Sequence, residues 1–244
     1  MDWLAGRAAA APPALRPAWA RQLLDAEAPA RALVALGPDS PNEPAEIAEV
    51  RIDALIALKR MGEAGRVIAA RAEGERDVKR LRALARQALD ADVKPALKAV
   101  YERIAREAPG DPDAARWLGL ADFAGGRTAL ARRHLARVIE TPVADHEVNS
   151  AYGEILQQAG ERDAARFHFR RALQQIEALP DQAVYHRVTR AQLLNRLGES
   201  RQALALMAAL VEERPTDPGL RADYANLLMD NKLYDQARRI LSVR

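Results

Sequence analysis

The sequence predicts an all-α fold, an array of stacked helical hairpins, and three observations carry that prediction. The first is the stretch from residue 146 to 179, which reads as two amphipathic helices. Val148, Tyr152, Ile155 and Leu156 share one face of the first, and Ala165, Phe169, Ala172, Leu173 and Ile176 share one face of the second. Gly160 lies between them, where a left-handed closing residue costs glycine nothing. The second observation is a pair of small residues, Gly153 and Ala165, twelve apart, where antiparallel helices on so short a turn would cross closely. That pair recurs as Gly119 with Ala131, Ala191 with Ala203, and Ala225 with Ala237, in steps of 34, 38 and 34 residues. The third is a pair of markers in fixed phase with it. A turn residue follows each first member by seven (Gly126, Gly160, Gly198, Lys232), and a large apolar residue follows each second member by four (Leu135, Phe169, Met207, Leu241). A single hairpin cannot bury both of its faces, so each unit needs the next.

Taken in order, residues 1–16 are rich in Ala and Pro and read as a flexible arm, with Pro12, Pro13 and Pro17 opposing a continuous helix. Residues 17–43 read as a short hairpin turned near Ala28 and Pro29, with Trp19, Leu23, Leu24, Leu33 and Val34 as its apolar contacts, followed by a linker. The cluster of breakers from Gly37 to Pro44 marks that linker. The array proper is expected over 44–244, in units of about 44–74, 78–111, 112–145, 146–183, 184–217 and 218–244. In the first of these the turn is placed at Gly62, which puts Leu55 and Val67 where the small pair should be and implies a wider crossing. The second is a degenerate copy, with Ala85, Leu97 and Asp92 at the marker positions. Asp111-Pro112 and Asp217-Pro218 are helix starts, Asp capping and Pro standing where its missing N–H does no harm. The four extra residues of the long step fall between Ile176 and Ala183, which predicts a helix one turn longer there.

A 34-residue helix-turn-helix period with these markers resembles the tetratricopeptide repeat family. The closing prolines Pro109, Pro142 and Pro215 fit it, as do Tyr224, Tyr234 and Asp235 in the last unit. The resemblance is specific from Pro109 to Leu241 and fades upstream. It implies a right-handed α-α superhelix, or solenoid, whose first helices line a groove that receives a protein or peptide partner. Carried over residue by residue, it implies a groove lined by Lys79, Arg82 and Arg86, then Arg116, Leu120 and Phe123, then Glu154 and Gln157, then Tyr185, Gln192 and Asn195, and finally Asn226. Glu147, Ser150, Val188, Arg196, Met229 and Asp230 complete that lining. Some family members clamp a C-terminal carboxylate with Lys and Asn on successive first helices; here Leu120 stands where that Asn would be.

Composition narrows the chemistry. With 49% hydrophobic and 29% charged residues the balance is that of an ordinary folded chain, and the absence of cysteine removes disulfides and thiolate chemistry. No apolar run approaches the length of a membrane span. The first residues have neither the basic nor the apolar region of a secretory signal, so the expected location is cytoplasmic, or periplasmic if a leader has been removed. His134, His146, His168 and His186 show no ligand spacing, although His134 and His168, 34 apart on second helices, could be neighbours in adjacent layers. No phosphate loop, dinucleotide fingerprint or nucleophile elbow occurs, so no catalytic residue, metal or cofactor is expected and the chain is not read as an enzyme.

The expected function is therefore that of a non-catalytic scaffold for protein–protein interaction, with self-association through the last helix as a further possibility. Two alternatives stand beside it. One is the soluble module of a bacterial envelope or polysaccharide-export assembly, which repeats rich in Ala and Arg resemble. The other is a nucleic-acid-binding repeat using residues 76–106, where nine basic residues face four acidic ones. The small net charge of +3 argues against the second.

Overall fold

A computed structural model describes residues 11–40, 43–180 and 183–242. After a 3-10 turn at Pro13–Leu15 come fourteen α-helices among the described residues, and no strand: α1 (Arg16–Asp25), α2 (Pro29–Leu36), α3 (Ala45–Ala57), α4 (Met61–Gly74), α5 (Val78–Asp90), α6 (Lys94–Glu107), α7 (Pro112–Ala124), α8 (Thr128–Leu135), α9 (His146–Gln158), α10 (Arg162–Glu177), α11 (Val184–Arg196), α12 (Ser200–Glu213), α13 (Pro218–Asp230) and α14 (Tyr234–Ser242). They pair in order as seven hairpins. The chain forms two compact units, Met1–Leu118 and Gly119–Arg244, with the boundary inside α7.

One local device closes every hairpin. Its turn residue has positive φ: Glu27, Lys59, Asp92, Gly126, Gly160, Gly198 and Lys232, in steps of 32, 33, 34, 34, 38 and 34 residues. The next N–H then donates to a carbonyl in the last turn of the first helix. These bonds run from Ala28 to Leu23, Arg60 to Leu55, Val93 to Ala88, Arg127 to Asp122, Glu161 to Leu156, Glu199 to Leu194 and Leu233 to Leu228, each at 2.8–2.9 Å. This is the Schellman closure, which satisfies carbonyls that a helix end would otherwise leave orphaned.

Counting back seven from each turn gives the crossing residue, and the first two hairpins correct the sequence reading. The turn expected at Gly62 is made by Lys59, and Gly62 lies inside α4. The crossing pair is therefore Ile52 with Ala64, not Leu55 with Val67, and Ile68 is the large residue that follows. All three are fully buried. The hairpin of residues 17–43 follows the same rule with Ala20, Ala32 and Leu36, so it is a repeat in register with the rest. Val34, expected among its contacts, is 76% exposed, because the inward face of α2 carries Ala32, Ala35 and Leu36 instead.

In the unit of residues 119–244 the crossing is tight. A Cβ added to Gly153 would stand 2.6 Å from the Phe169 ring and 3.3 Å from the Ala165 carbonyl, and one added to Gly119 would strike Leu135. The small residue thus fits beneath the large side chain four places after its partner. Phe169 then reaches Leu193 of the following hairpin through a shared core with Leu156, Ala172 and Ile176, and Met207 likewise shares a core with Leu220 and Leu227. Burying each such side chain contributes roughly 1.5–3 kcal/mol. Leu241, the last of the series, is 58% exposed.

Three further expectations change. The first ten residues of the expected arm lie outside the described residues; the remainder forms the 3-10 turn and enters α1, where Pro17 occupies the first helical turn, a place that needs no N–H. The linker is not loose where it is described. Arg51, 5% exposed, donates from Nε to Glu43 Oε2 (2.9 Å) and from Nη1 to the Gly37 carbonyl (2.8 Å), pinning both ends of the segment to α3; Pro41 and Asn42 lie outside the described residues. Helix α10 has 16 residues against 14 in α12, so the insertion lengthens it by two residues rather than a full turn. Helix α8 stops early, at Leu135, and residues 136–145 finish that unit as turns, with Val138, Ile139 and Ala144 buried. Asp caps α5, α9 and α13 through Asp77, Asp145 and Asp217, and Asp111 accepts from the Ala114 N–H at 2.9 Å.

Two glycines test this account of the crossing. Gly153→Ala should destabilise the chain by about 1–3 kcal/mol, because the buried Phe169 ring has nowhere to move. Gly62→Ala, with nothing within 4 Å of the added carbon, should leave the melting temperature unchanged or raise it. Equal melting temperatures for Gly153→Ala and the parent would contradict the close contact.

Candidate functional site

Every hairpin offers the outward side of its first helix, and the residue after each crossing residue projects there. In residues 1–118 this row contains Arg21, Asp53 and Arg86. Arg21 Nη1 lies 2.6 Å from Asp53 Oδ2, and Gln87 donates to Asp53 Oδ1 at 2.7 Å, so α1, α3 and α5 are tied across a recess of about 420 Å³. Arg21 and Asp53 escaped the sequence reading for one reason. With the first turn placed at Gly62 and the N-terminal hairpin outside the array, neither fell at a lining position.

Of the four basic residues expected to line this half, Arg82 and Arg116 are engaged. Arg82 donates to Asp111 and stands 3.8 Å from Asp113, so it braces the cap of α7 rather than facing outward alone. Arg116 is half-buried, its charge acting together with Asp113 and Arg82 on Tyr101, whose ring stacks on Trp117 at 5.2 Å. Lys79 and Arg86 are exposed, and Leu120 and Phe123 are half-buried. Within residues 76–106, Arg80 reaches Glu75 (3.7 Å), Arg103 pairs with Glu107 (2.8 Å) and Lys98 stands 3.6 Å from Glu102. That stretch is less basic in space than in sequence.

In residues 119–244 the lining residues converge. Glu154 from α9, Gln192, Asn195 and Arg196 from α11, and Asp223, Asn226 and Asp230 from α13 surround a cleft of about 220 Å³. Arg196 Nη2 lies 3.8 Å from Glu154 Oε2. The carbonyl of the Asn195 side chain accepts from Ser200 Oγ (2.8 Å) and from Asn231 Nδ2 (2.9 Å), which fixes the side chain and leaves its two N–H donors for the cleft. Burial, reinforced by repulsion from Asp217, pushes the Asp223 carboxyl above its ordinary range. The cleft therefore offers aligned amides and three carboxylates against one guanidinium. Gln157 and Tyr185 are exposed beside it; the Tyr185 hydroxyl donates to Glu147 Oε1 at 3.2 Å.

His134 and His168 do not meet as the sequence allowed, whereas His146 and His186 stand edge to face at a centroid separation of 5.6 Å. His134 Nε2 is 3.7 Å from Asp122, whereas His168 turns to Asn149. The latter contact belongs to a buried network that the sequence did not suggest. Asn149, fully buried, donates to the carbonyls of Ala144 and Asp145 and to Gln175 Oε1 at 3.0–3.1 Å, and Gln175 donates to the Ala144 carbonyl at 2.7 Å. Asn149 Oδ1 is left as the acceptor for His168 Nδ1 at 3.1 Å, which assigns the proton to Nδ1. The network holds the irregular segment after α8 against α9 and α10. Among the described residues no group of three or more His, Cys, Asp or Glu is placed to hold a metal ion, and no helix is long and apolar enough to cross a membrane.

The geometry can be set beside known proteins. Residues 194–243 match the tetratricopeptide repeat family model. Over those residues the chain resembles a tetratricopeptide repeat. Two solved structures share the fold. One is a tetratricopeptide repeat protein from Parabacteroides merdae, 13% identical, covering 91% of this chain and 94% of that one with a TM-score of 0.57. The other is the APC/C hetero-tetramer Cut9-Hcn1, 15% identical, covering 91% of this chain and 41% of that one with a TM-score of 0.56. No curated protein matches the sequence. The repeat is in general a protein-interaction fold without catalytic machinery, and its first helices carry the cleft described above.

His168 gives a pH dependence of known sign. Burial, and secondarily the charge of Arg171, hold its pKa below the ordinary histidine value. Above that ordinary value both folded and unfolded chains are neutral there. As pH falls below it, the unfolded chain takes up a proton that the native state refuses, and stability drops. Between pH 7 and pH 5 the parent should lose more melting temperature than His168→Gln; equal losses would show that His168 does not titrate in this way.

Proposed function

We propose that the chain is a non-catalytic interaction module that holds an extended peptide segment of a partner protein in the cleft of α9, α11 and α13. The observation that carries this is the convergence of Glu154, Gln192, Asn195, Asp223, Asn226 and Asp230 from three successive first helices on one recess. Side-chain amides at repeating positions suit a backbone, which offers a donor and an acceptor at each residue whatever its side chain. Asn195 is already oriented by Ser200 and Asn231, so less freedom is lost on binding. The surplus of carboxylates favours a segment bearing Lys or Arg, and an ion pair there would offset the burial of Asp223. The first-helix face of residues 1–118, already crosslinked by Arg21, Asp53 and Gln87, leaves fewer free groups for a ligand.

A random peptide library panned against the intact chain tests the proposal. Enriched peptides should be extended and basic, and their affinity, read by fluorescence anisotropy, should fall about tenfold in Gln192→Ala/Asn226→Ala, since two lost hydrogen bonds are each worth roughly 0.5–1.5 kcal/mol. Both residues are exposed, so the melting temperature should hold. Binding should also weaken as pH falls and Asp223 takes up a proton, and Asp223→Asn should flatten that dependence. Peptides that bind parent and double variant equally would place the site elsewhere.

A further inference from the structure

The second helices present a different surface. On α10, Arg162, Arg166 and Arg170 recur every four residues, and all three are exposed. They form no ion pair among the described residues, whereas Arg82, Arg103, Arg132 and Arg187 each have a carboxylate partner. Beside them Phe167 is 58% exposed, a large apolar side chain in water. Its ring stands edge-on to the buried His168 at a centroid separation of 5.1 Å. The buried face of α10 is fully used, by Ala165, His168, Phe169, Ala172 and Ile176, so the arginine stripe is not a core face left bare.

We propose that this outward face of α10 docks an acidic amphipathic helix of a partner protein, with Arg162, Arg166 and Arg170 forking its carboxylates and Phe167 meeting its apolar edge. The spacing carries the choice of a helix. Residues four apart on an α-helix stand about 6 Å apart along the axis, so a partner with Glu or Asp at i, i+4 and i+8 repeats with the same rise and can meet all three guanidiniums at once. Guanidinium–carboxylate forks are directional and fix the register. A single exposed aromatic flanked by cations is also the composition of an interface anchor with a charged rim. A nucleic-acid strand fits less well. Only one exposed aromatic, Phe167, is available on this face for stacking bases.

The test uses the full chain and a synthetic helical peptide with Glu at every fourth position and Leu on the adjoining stripe. Its comparators are a peptide of the same composition in scrambled order, a single-stranded oligonucleotide of equal charge, and vesicles containing anionic lipid. The patterned peptide should bind, more tightly than any comparator. Arg166→Glu/Arg170→Glu should weaken it at least tenfold and Phe167→Ala several-fold, with unchanged melting temperatures. The equal charge reversal Arg76→Glu/Arg106→Glu, on the other compact unit, should change it less than twofold. No binding of the patterned peptide, equal binding of the scrambled one, equal losses from both reversals, or tighter binding of the oligonucleotide or the vesicles would each overturn the proposal. The α10 variants should leave capture of basic peptides by the α9, α11 and α13 cleft intact, so this surface and that cleft can fail independently.

Discussion

The contact on which the rest of this molecule depends is the close approach of two antiparallel helices over a residue with little or no side chain. Gly153 under Phe169, and Gly119 under Leu135, leave no room for one more carbon. Because the axes come so near, the large side chain four residues after the second member is driven past its own hairpin and into the next, as Phe169 reaches Leu193. Packing within a hairpin and packing between hairpins are therefore one interaction. The left-handed turn seven residues after the crossing keeps the two helices in phase, and a slip of even one residue would move a large side chain into the crossing.

That geometry divides the polar residues into classes with different fates. First-helix side chains next to the crossing are thrown together from successive hairpins, where they crosslink, as Arg21 does with Asp53, or line a cleft, as Gln192 and Asn226 do. On the second helices, Arg132 and Arg171 meet Glu161 and Glu140, whereas Arg162, Arg166 and Arg170 of α10 remain open to water. Two buried polar side chains between helices are fully satisfied. Asn149 is, through four hydrogen bonds, and Arg51 meets the Glu43 carboxylate and two carbonyls of the segment it pins. Both stand where regular helix is missing, replacing backbone pairing by side-chain pairing.

The sequence revealed the fold wherever glycine marked the turn. It misled at one glycine-free turn, where Lys59 holds the left-handed conformation although it costs a residue with a Cβ roughly 1–2 kcal/mol; at Asp92 and Lys232, which do the same, the period alone had placed the turn. Gly62, three residues on, was the more natural choice from composition, and that slip of three hid Ile52 and Ala64 and, with them, Asp53. The convergence of Glu154, Gln192, Asn195 and Asn226 was legible because period alone brings equivalent positions together. The engagement of Arg82 was not, because its partner Asp111 belongs to the cap of the next hairpin, and no period in the sequence links the two. The Asn149 network was equally hidden, since it depends on where α8 stops.

One register runs through all seven hairpins, including the four whose turns lack glycine. Backbone φ angles at Glu27 and Lys59, measured in solution from amide–Hα couplings and carbon chemical shifts, address it directly. Positive φ at both residues, with Gly62 helical, is the result the account predicts. A helical Lys59 with the left-handed conformation moved to Gly62 would contradict it and return Leu55 and Val67 to the crossing.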